Sequence, residues 1–114
     1  MSAFNILIAE LQCSNCTVYF KGRIQFKFGD TWQIEYKIGD KITWGGNDIG
    51  RPGIKEVKVY GILESSHCPS CNYEILPNEY DIFIENDIIK KIEVLSDIND
   101  YLVDEGGNYK IYKE

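Results

Sequence analysis

The chain has 114 residues, 44% of them hydrophobic and 26% charged, and a formal net charge of -6. These values favour one globular domain over residues 1–114 with a modest core, and the acidic balance works against a protein that binds nucleic acid over its whole surface. The N-terminal apolar run, residues 6–9, is too short for a signal peptide, and no segment reaches membrane-spanning length. We therefore expect a soluble cytoplasmic protein.

The charge is unevenly distributed along the chain. Residues 17–59 carry eight basic and five acidic side chains, whereas the residues after Tyr60 carry four basic and twelve acidic ones. The folded molecule is predicted to be dipolar, with an acidic C-terminal half that would suit a basic partner.

The first half of the chain has the pattern of β-strands. Residues 4–11 form an apolar run, and residues 23–28 and 31–38 each alternate apolar with polar side chains. Gly29-Asp30 lies between the two alternating runs and is a turn sequence, so they predict a hairpin. Its buried face would hold Ile24, Phe26, Phe28, Trp32, Ile34, Tyr36 and Ile38. Further strands are expected at residues 41–44 and 57–63.

The second half contains another predicted hairpin, over residues 80–95, with Asn86-Asp87 at its turn. A short helix is expected within residues 96–107, with Ser96 as its N-cap and Gly106 at its end, followed by a strand at residues 108–113. Helices and strands do not alternate, and no repeat is visible. The predicted class is mainly β, with antiparallel hairpins and one short C-terminal helix.

Four cysteines form the most specific motif. Cys13 and Cys16 make one C-x₂-C pair, and Cys68 and Cys71 make another. Each such loop directs backbone N–H groups at its sulfur atoms, and two loops together supply four tetrahedral thiolates. The sequence therefore predicts a closed structural zinc site. His67 precedes Cys68 and is expected at an exposed or outer position beside the ligands.

The second loop, C-P-S-C-N, resembles the knuckles of zinc-ribbon proteins. Pro69 stiffens the turn, and Asn72 stands where those knuckles carry glycine because the backbone there is left-handed. In the first loop, C-S-N-C-T, Ser14 and Thr17 occupy the corresponding positions. The resemblance covers the knuckles, residues 13–16 and 68–71, with the adjoining strands. It implies a β insertion over residues 17–67 that the metal clamps at its base.

Other uses of the cysteines remain open at this point. Two disulfides would require an oxidising compartment, and a thioredoxin-like pair would require a βαβ context that the chain lacks. An iron ion on four thiolates would use the same ligand set as zinc.

Catalysis has little support in the sequence. Four thiolates leave zinc no open position for an activated water, and His67 is the only histidine. No phosphate-binding loop of the required form is present. We expect a protein that is not an enzyme.

The best candidate for a binding loop is residues 39–53, which is rich in glycine. Its candidate binding residues are Trp44, Asn47, Asp48 and Arg51. In the alternative interpretation, Trp44 fills the edge of the core and the glycines turn the chain around a sheet corner.

The predicted function is a zinc-binding β module that binds another protein. A sharper form is an acidic inhibitor or immunity-type protein that covers a basic toxin such as a nuclease. The alternative is a nucleic-acid-binding protein that uses Arg23, Lys27 and Lys37 on the charged face of the first predicted hairpin. The sequence leaves the oligomeric state open.

Overall fold

A computed structural model describes residues 4–102 and 107–114 of the chain. The elements in chain order are β1 (Asn5–Gln12), β2 (Tyr19–Phe26), β3 (Gly29–Asp30), β4 (Glu35–Lys37), β5 (Asp48–Ile49), β6 (Glu56–Leu63), β7 (Glu79–Glu85), β8 (Ile88–Val94), α1 (Asn99–Leu102) and β9 (Tyr109–Lys113). This confirms the predicted mainly β class with a short helix near the C-terminus. Within the described ranges, no helix is long and apolar enough to cross a bilayer.

Seven strands form one sheet. Six of them follow the order β4-β1-β2-β6-β7-β8, and β9 pairs with β6. One side of β6 is paired with β7, while the other side is shared between β2, near Leu63, and β9, near Val57. The main core cluster includes Ile24, Phe26, Phe28, Val59, Ile82 and Ile89, all at most 2% exposed. Strands β2 and β6, which lie within residues 17–67, therefore pair with β1 and β7 outside that segment.

The predicted hairpin at residues 80–95 is confirmed. Strands β7 and β8 pair antiparallel, and the two residues between them, Asn86 and Asp87, have φ angles of 51° and 67°. Two consecutive left-handed residues are the requirement of the tight hairpin turn that Asn and Asp favour. The Asp87 carboxylate also accepts a hydrogen bond from the N–H of Gly53, which joins this turn to the preceding loop.

The predicted hairpin over residues 23–38 is wrong. Strand β2 pairs antiparallel with β1, and β4 pairs with the opposite side of β1 in parallel. Residues 29 and 30 do not turn the chain back on β2. They form β3, which pairs with β5 in a separate small sheet.

The buried side chain of Asn5 explains this path. Its Nδ2 donates to the carbonyl oxygens of Phe28 and Asp30, and its Oδ1 accepts from the N–H groups of Trp32 and Ile34. The side chain is fully buried, so these bonds supply the partners that such an amide requires. The chain therefore passes around Asn5 and reaches the far edge of β1.

The burial predicted for residues 31–38 is correct only in part. Tyr36 is buried and Ile34 is half-buried, but Trp32 is 65% exposed and Ile38 is 45% exposed. The expected alternation fails because residues 31–34 form the connection around Asn5 rather than a strand. The strand predicted at residues 41–44 is reduced to an isolated bridge between Lys41 and Ile88.

The short helix has a different cap from the predicted one. The N–H of Ser96 donates to Asp81, and Asp97 Oδ1 accepts from the N–H of Asn99 at 2.9 Å. Asp97 thus takes the capping role that we expected of Ser96. The predicted helix end at Gly106 lies outside the described residues. The final predicted strand is confirmed as β9.

A buried ionic cluster fixes the helix on the sheet. Lys58 on β6 is 2% exposed and lies 3.7 Å from the carboxylate of Asp81 on β7 and 2.6 Å from that of Asp100 on α1. Tyr101 is fully buried, and its hydroxyl donates to Asp81 at 2.6 Å. These contacts connect α1 with strands β6 and β7.

Candidate metal centre

The topology of the sheet brings the two cysteine pairs together. Strands β1 and β6 both run antiparallel to β2, on its two sides, so they run in the same direction. The turn after β1, with Cys13 and Cys16, and the connection after β6, with Cys68 and Cys71, therefore leave the sheet at the same end.

The two cysteine turns have nearly identical backbones. The N–H of Thr17 donates to the carbonyl of Cys13, and the N–H of Asn72 donates to that of Cys68, both at 2.9 Å. Thr17 and Asn72 have φ angles of 63° and 61°. Both turns thus contain the left-handed position that the knuckle pattern predicts, even though neither has glycine there.

Replacing Thr17 with glycine is expected to stabilise the protein by about 0.5–1 kcal/mol. A β-branched residue is strained in the left-handed region by roughly 1–2 kcal/mol, and the greater freedom of glycine in the unfolded chain offsets part of the gain. Equilibrium denaturation measures the difference. The matched control is Asn72→Gly, which should change stability less because asparagine tolerates this region. A Thr17→Gly variant no more stable than the wild type would contradict the strain argument.

The four sulfur atoms lie close to the spacing of a tetrahedral metal site. Cys13 Sγ is 3.7 Å from Cys71 Sγ, and Cys16 Sγ is 3.7 Å from Cys68 Sγ. All four lie within 4.8 Å of one another, and all four cysteines are free. A metal–sulfur bond of about 2.3 Å gives tetrahedral S–S edges of about 3.8 Å. The four cysteines thus form a group that could hold a metal ion.

Backbone N–H groups surround the sulfur atoms. Cys13 Sγ accepts from the N–H groups of Asn15 and Cys16, and Cys68 Sγ accepts from that of Ser70, at 3.4–3.5 Å. Such donors stabilise a thiolate. This arrangement agrees with the geometry expected for C-x₂-C loops that bind metals.

The thiols differ in their readiness to lose a proton. The pKa of Cys71 is lowered to about 6, chiefly by the side-chain amide of Asn15, and that of Cys68 is lowered, chiefly by the N–H of Cys71. For Cys16, the N–H of Val18 acts to lower the pKa. Loss of solvation and the neighbouring sulfur atoms outweigh it and raise the value to about 11. A metal must therefore displace protons from part of the cluster, so metal affinity rises with pH.

Asn15 is a site residue that sequence analysis missed. Its Nδ2 lies 3.5 Å from Cys71 Sγ, so it donates from the first turn to a sulfur of the second. An asparagine between two cysteines carries no signal of such a contact, because the second turn lies 56 residues away in the chain. His67 is exposed, as expected, and forms a backbone bridge with Glu74.

Each of the four candidate binding residues lies against or bonds to other residues of the chain. Trp44 is half-buried and meets the ring of Phe28 edge-on at 5.3 Å, and its Nε1 is buried without a partner among the described residues. Asn47 donates to Thr31. Asp48 and Arg51 are exposed; the first accepts from the N–H groups of residues 45 and 46, and the second pairs with Glu114. Their role in binding stays a prediction.

The exposed Trp32 lies beside this loop. A Cβ atom built on Gly46 would be 4.0 Å from Trp32 Nε1 and 3.9 Å from Asp30 Oδ1. The backbone of Trp32 is held by Asn5, and the next residue, Gln33, has a left-handed φ of 57°. The Trp32 side chain is thus exposed to solvent, while hydrogen bonding fixes its backbone.

The chain has no significant match among protein-family models, curated proteins or solved structures.

Proposed function

We propose that the four cysteines bind one structural Zn²⁺ and that the protein is a zinc-ribbon-like β module without catalytic activity. The observation that carries the zinc assignment is the group of four sulfur atoms within 4.8 Å, held by two matching turns. Thiolates are the ligands of closed structural zinc sites. Four of them fill the tetrahedral shell and leave no position for an activated water.

The module acts by binding another protein. Trp32 is the support for this proposal, since an exposed tryptophan on a fixed backbone is the kind of residue that dominates protein interfaces. Asp30 and Asp48 bring carboxylates to the same region. With four thiolates and one Zn²⁺ the net charge becomes about -8. The local carboxylates and the negative net charge both favour a basic partner. The sharper proposal is an inhibitor or immunity-type protein in a reducing cytoplasm.

Nucleic-acid binding is the weaker alternative. Arg23, one of the three basic residues of that hypothesis, forms ion pairs with Glu35 at 3.0 Å and Glu64 at 3.2 Å. Three of the aromatic side chains of the first predicted hairpin, Phe26, Phe28 and Tyr36, are buried. A surface for single-stranded nucleic acid would need exposed aromatic and basic groups on one face.

The metal is tested by elemental mass spectrometry of protein purified without added metal, together with a thiol count on the unfolded chain. The proposal predicts one zinc per chain and four thiols. Finding iron instead of zinc would change the metal assignment. Finding no metal and fewer than four thiols would show that the cysteines form disulfides.

Partner binding is tested with the immobilised wild type and the Trp32→Ala variant in extract cleared of nucleic acid. The proposal predicts a basic protein that the variant fails to retain. Tyr19→Ala is the matched control, because Tyr19 is 63% exposed but lies on β2, apart from Trp32. Salt-sensitive retention of added nucleic acid instead would favour the alternative.

A further inference from the structure

Strand β8 forms one end of the large sheet and has a short unpaired edge. At its start, the N–H of Gly39 donates to the carbonyl of Ile89, and the N–H of Ile89 donates to the carbonyl of Asp40. The loop around residue 40 thus covers the beginning of the edge. From Lys90 to Val94, the only strand of the described residues that pairs with β8 is β7.

The exposed side chains on this edge have a symmetric order. Lys91 and Glu93 are 58% and 54% exposed, and their charged groups lie 2.7 Å apart. Ile92, between them, points to the opposite face, where it packs partly against the core beside its cross-strand neighbour Ile82. Val94 is 51% exposed.

We infer that β8 pairs with β8 of a second copy of this chain, antiparallel and about a two-fold axis at Ile92. This register places Lys91 opposite the partner's Glu93 and Glu93 opposite the partner's Lys91. Ile92 meets the partner's Ile92 on the other face. Directly opposed unlike charges and opposed apolar residues both stabilise strand pairs.

The neighbouring registers are unfavourable. Moving the axis by one residue puts Lys91 opposite the partner's Lys91, or Glu93 opposite the partner's Glu93. Like charges in directly opposed positions destabilise a strand pair. The charge order therefore selects the pairing centred on Ile92.

The regular part of the free edge supports the same centre. A β-bulge at Lys90, where the pairing shifts from Ile84 opposite Ile89 to Phe83 opposite Lys91, interrupts the edge, so the pairing is limited to residues 91–93 around Ile92. The loop at residues 39–41 prevents a longer strand from pairing, since it already occupies the edge at Ile88 and Ile89. A lysine on an edge strand normally prevents such pairing. Here the Glu93 of the second copy would neutralise Lys91. The result is a closed dimer with a self-complementary contact.

The test is analytical ultracentrifugation of the metal-loaded protein from about 1 µM to about 1 mM, the range of weak interfaces. The wild type should reach twice the 13.1 kDa chain mass at the upper end. Lys91→Glu and Glu93→Lys each make both charge contacts repulsive and should raise the dissociation constant about tenfold or more. The double variant, with the two charges exchanged, should restore the wild-type dimer.

Lys21→Glu is the matched control, because it changes the net charge as Lys91→Glu does but lies on β2, and it should leave dimerisation unchanged. Thermal melts of each variant separate loss of association from loss of folding. A wild type that stays monomeric over the whole range would overturn the inference. So would a dimer whose affinity is insensitive to both single reversals, or one that the charge exchange fails to restore.

Discussion

Replacing Cys71 with alanine is expected to destabilise the domain as a whole. Cys71 is the most exposed of the four cysteines, so the substitution removes a metal ligand without opening a cavity in the core. The remaining three thiolates would hold zinc poorly. The site joins the turn after β1 to the connection after β6, and the binding energy of a structural zinc is also folding energy. We expect the midpoint of thermal unfolding to fall by at least about 10 °C, with loss of bound zinc.

Circular dichroism melts and zinc analysis on the same samples measure both effects. Ser70→Ala is the control, because Ser70 is exposed in the same turn and its side chain is not a proposed ligand. Adding a strong chelator to the wild type should reproduce the Cys71→Ala result. A variant that keeps the wild-type melting temperature while free of metal would refute the structural role of the site.

Replacing Lys58 with methionine is expected to lower the free energy of unfolding by about 3 kcal/mol. Methionine keeps the length of the side chain but removes the cation that neutralises Asp81, which is 1% exposed. A buried carboxylate without a charged partner is costly. The double variant Lys58→Met, Asp81→Asn should recover part of the loss, since the amide oxygen can still accept from Tyr101, although the amide NH₂ cannot accept from the N–H of Ser96. Chemical denaturation of both variants gives the comparison.

Lys110→Met is the control for that experiment. Lys110 also contacts Asp100, at 3.4 Å, but its side chain is 30% exposed, and exposed pairs contribute at most about 1 kcal/mol. Equal losses in the free energy of unfolding for Lys58→Met and Lys110→Met would show that burial does not increase the contribution of the ion pairs to stability. A double variant less stable than Lys58→Met would contradict the role of the Asp81 charge.

The same cluster makes stability depend on pH. The pKa of Asp100 is lowered, chiefly by its hydrogen bond to Lys58. Its contribution is therefore present above the ordinary aspartate pKa of about 4 and is lost as the pH falls through the lower, folded value. For Lys58, loss of solvation acts to lower the pKa, but the hydrogen bond from Lys58 to Asp100 contributes to a net rise. That contribution is lost only as the pH rises above about 10.

Features set by local chemistry could be predicted from the sequence. The hairpin at Asn86-Asp87 follows from two residues that tolerate the left-handed region, and the C-x₂-C turns follow from a five-residue pattern. The meeting of the four cysteines was also predicted, because a thiolate pair alone cannot complete a tetrahedral shell. In each case a few neighbouring residues determine the geometry.

Features that depend on distant partners could not be predicted. Alternation in residues 31–38 indicates that a strand exists but does not identify its partner, and the choice of β1 over β2 depends on the buried Asn5. A single asparagine in an apolar strand gives no sign of the four backbone groups it will bind. The exposure of Trp32 follows from the same contact and was missed for the same reason.

The position of the cysteines in the chain has a consequence for synthesis. Paired sulfur atoms across the site are 58 and 52 residues apart, so a growing chain offers only two thiolates until most of its length has left the ribosome. Contacts this distant form late and slow folding. On the proposed zinc site, full metal capture can occur only after the connection beyond β6 has emerged. The ion would then be retained only by chains translated past that point.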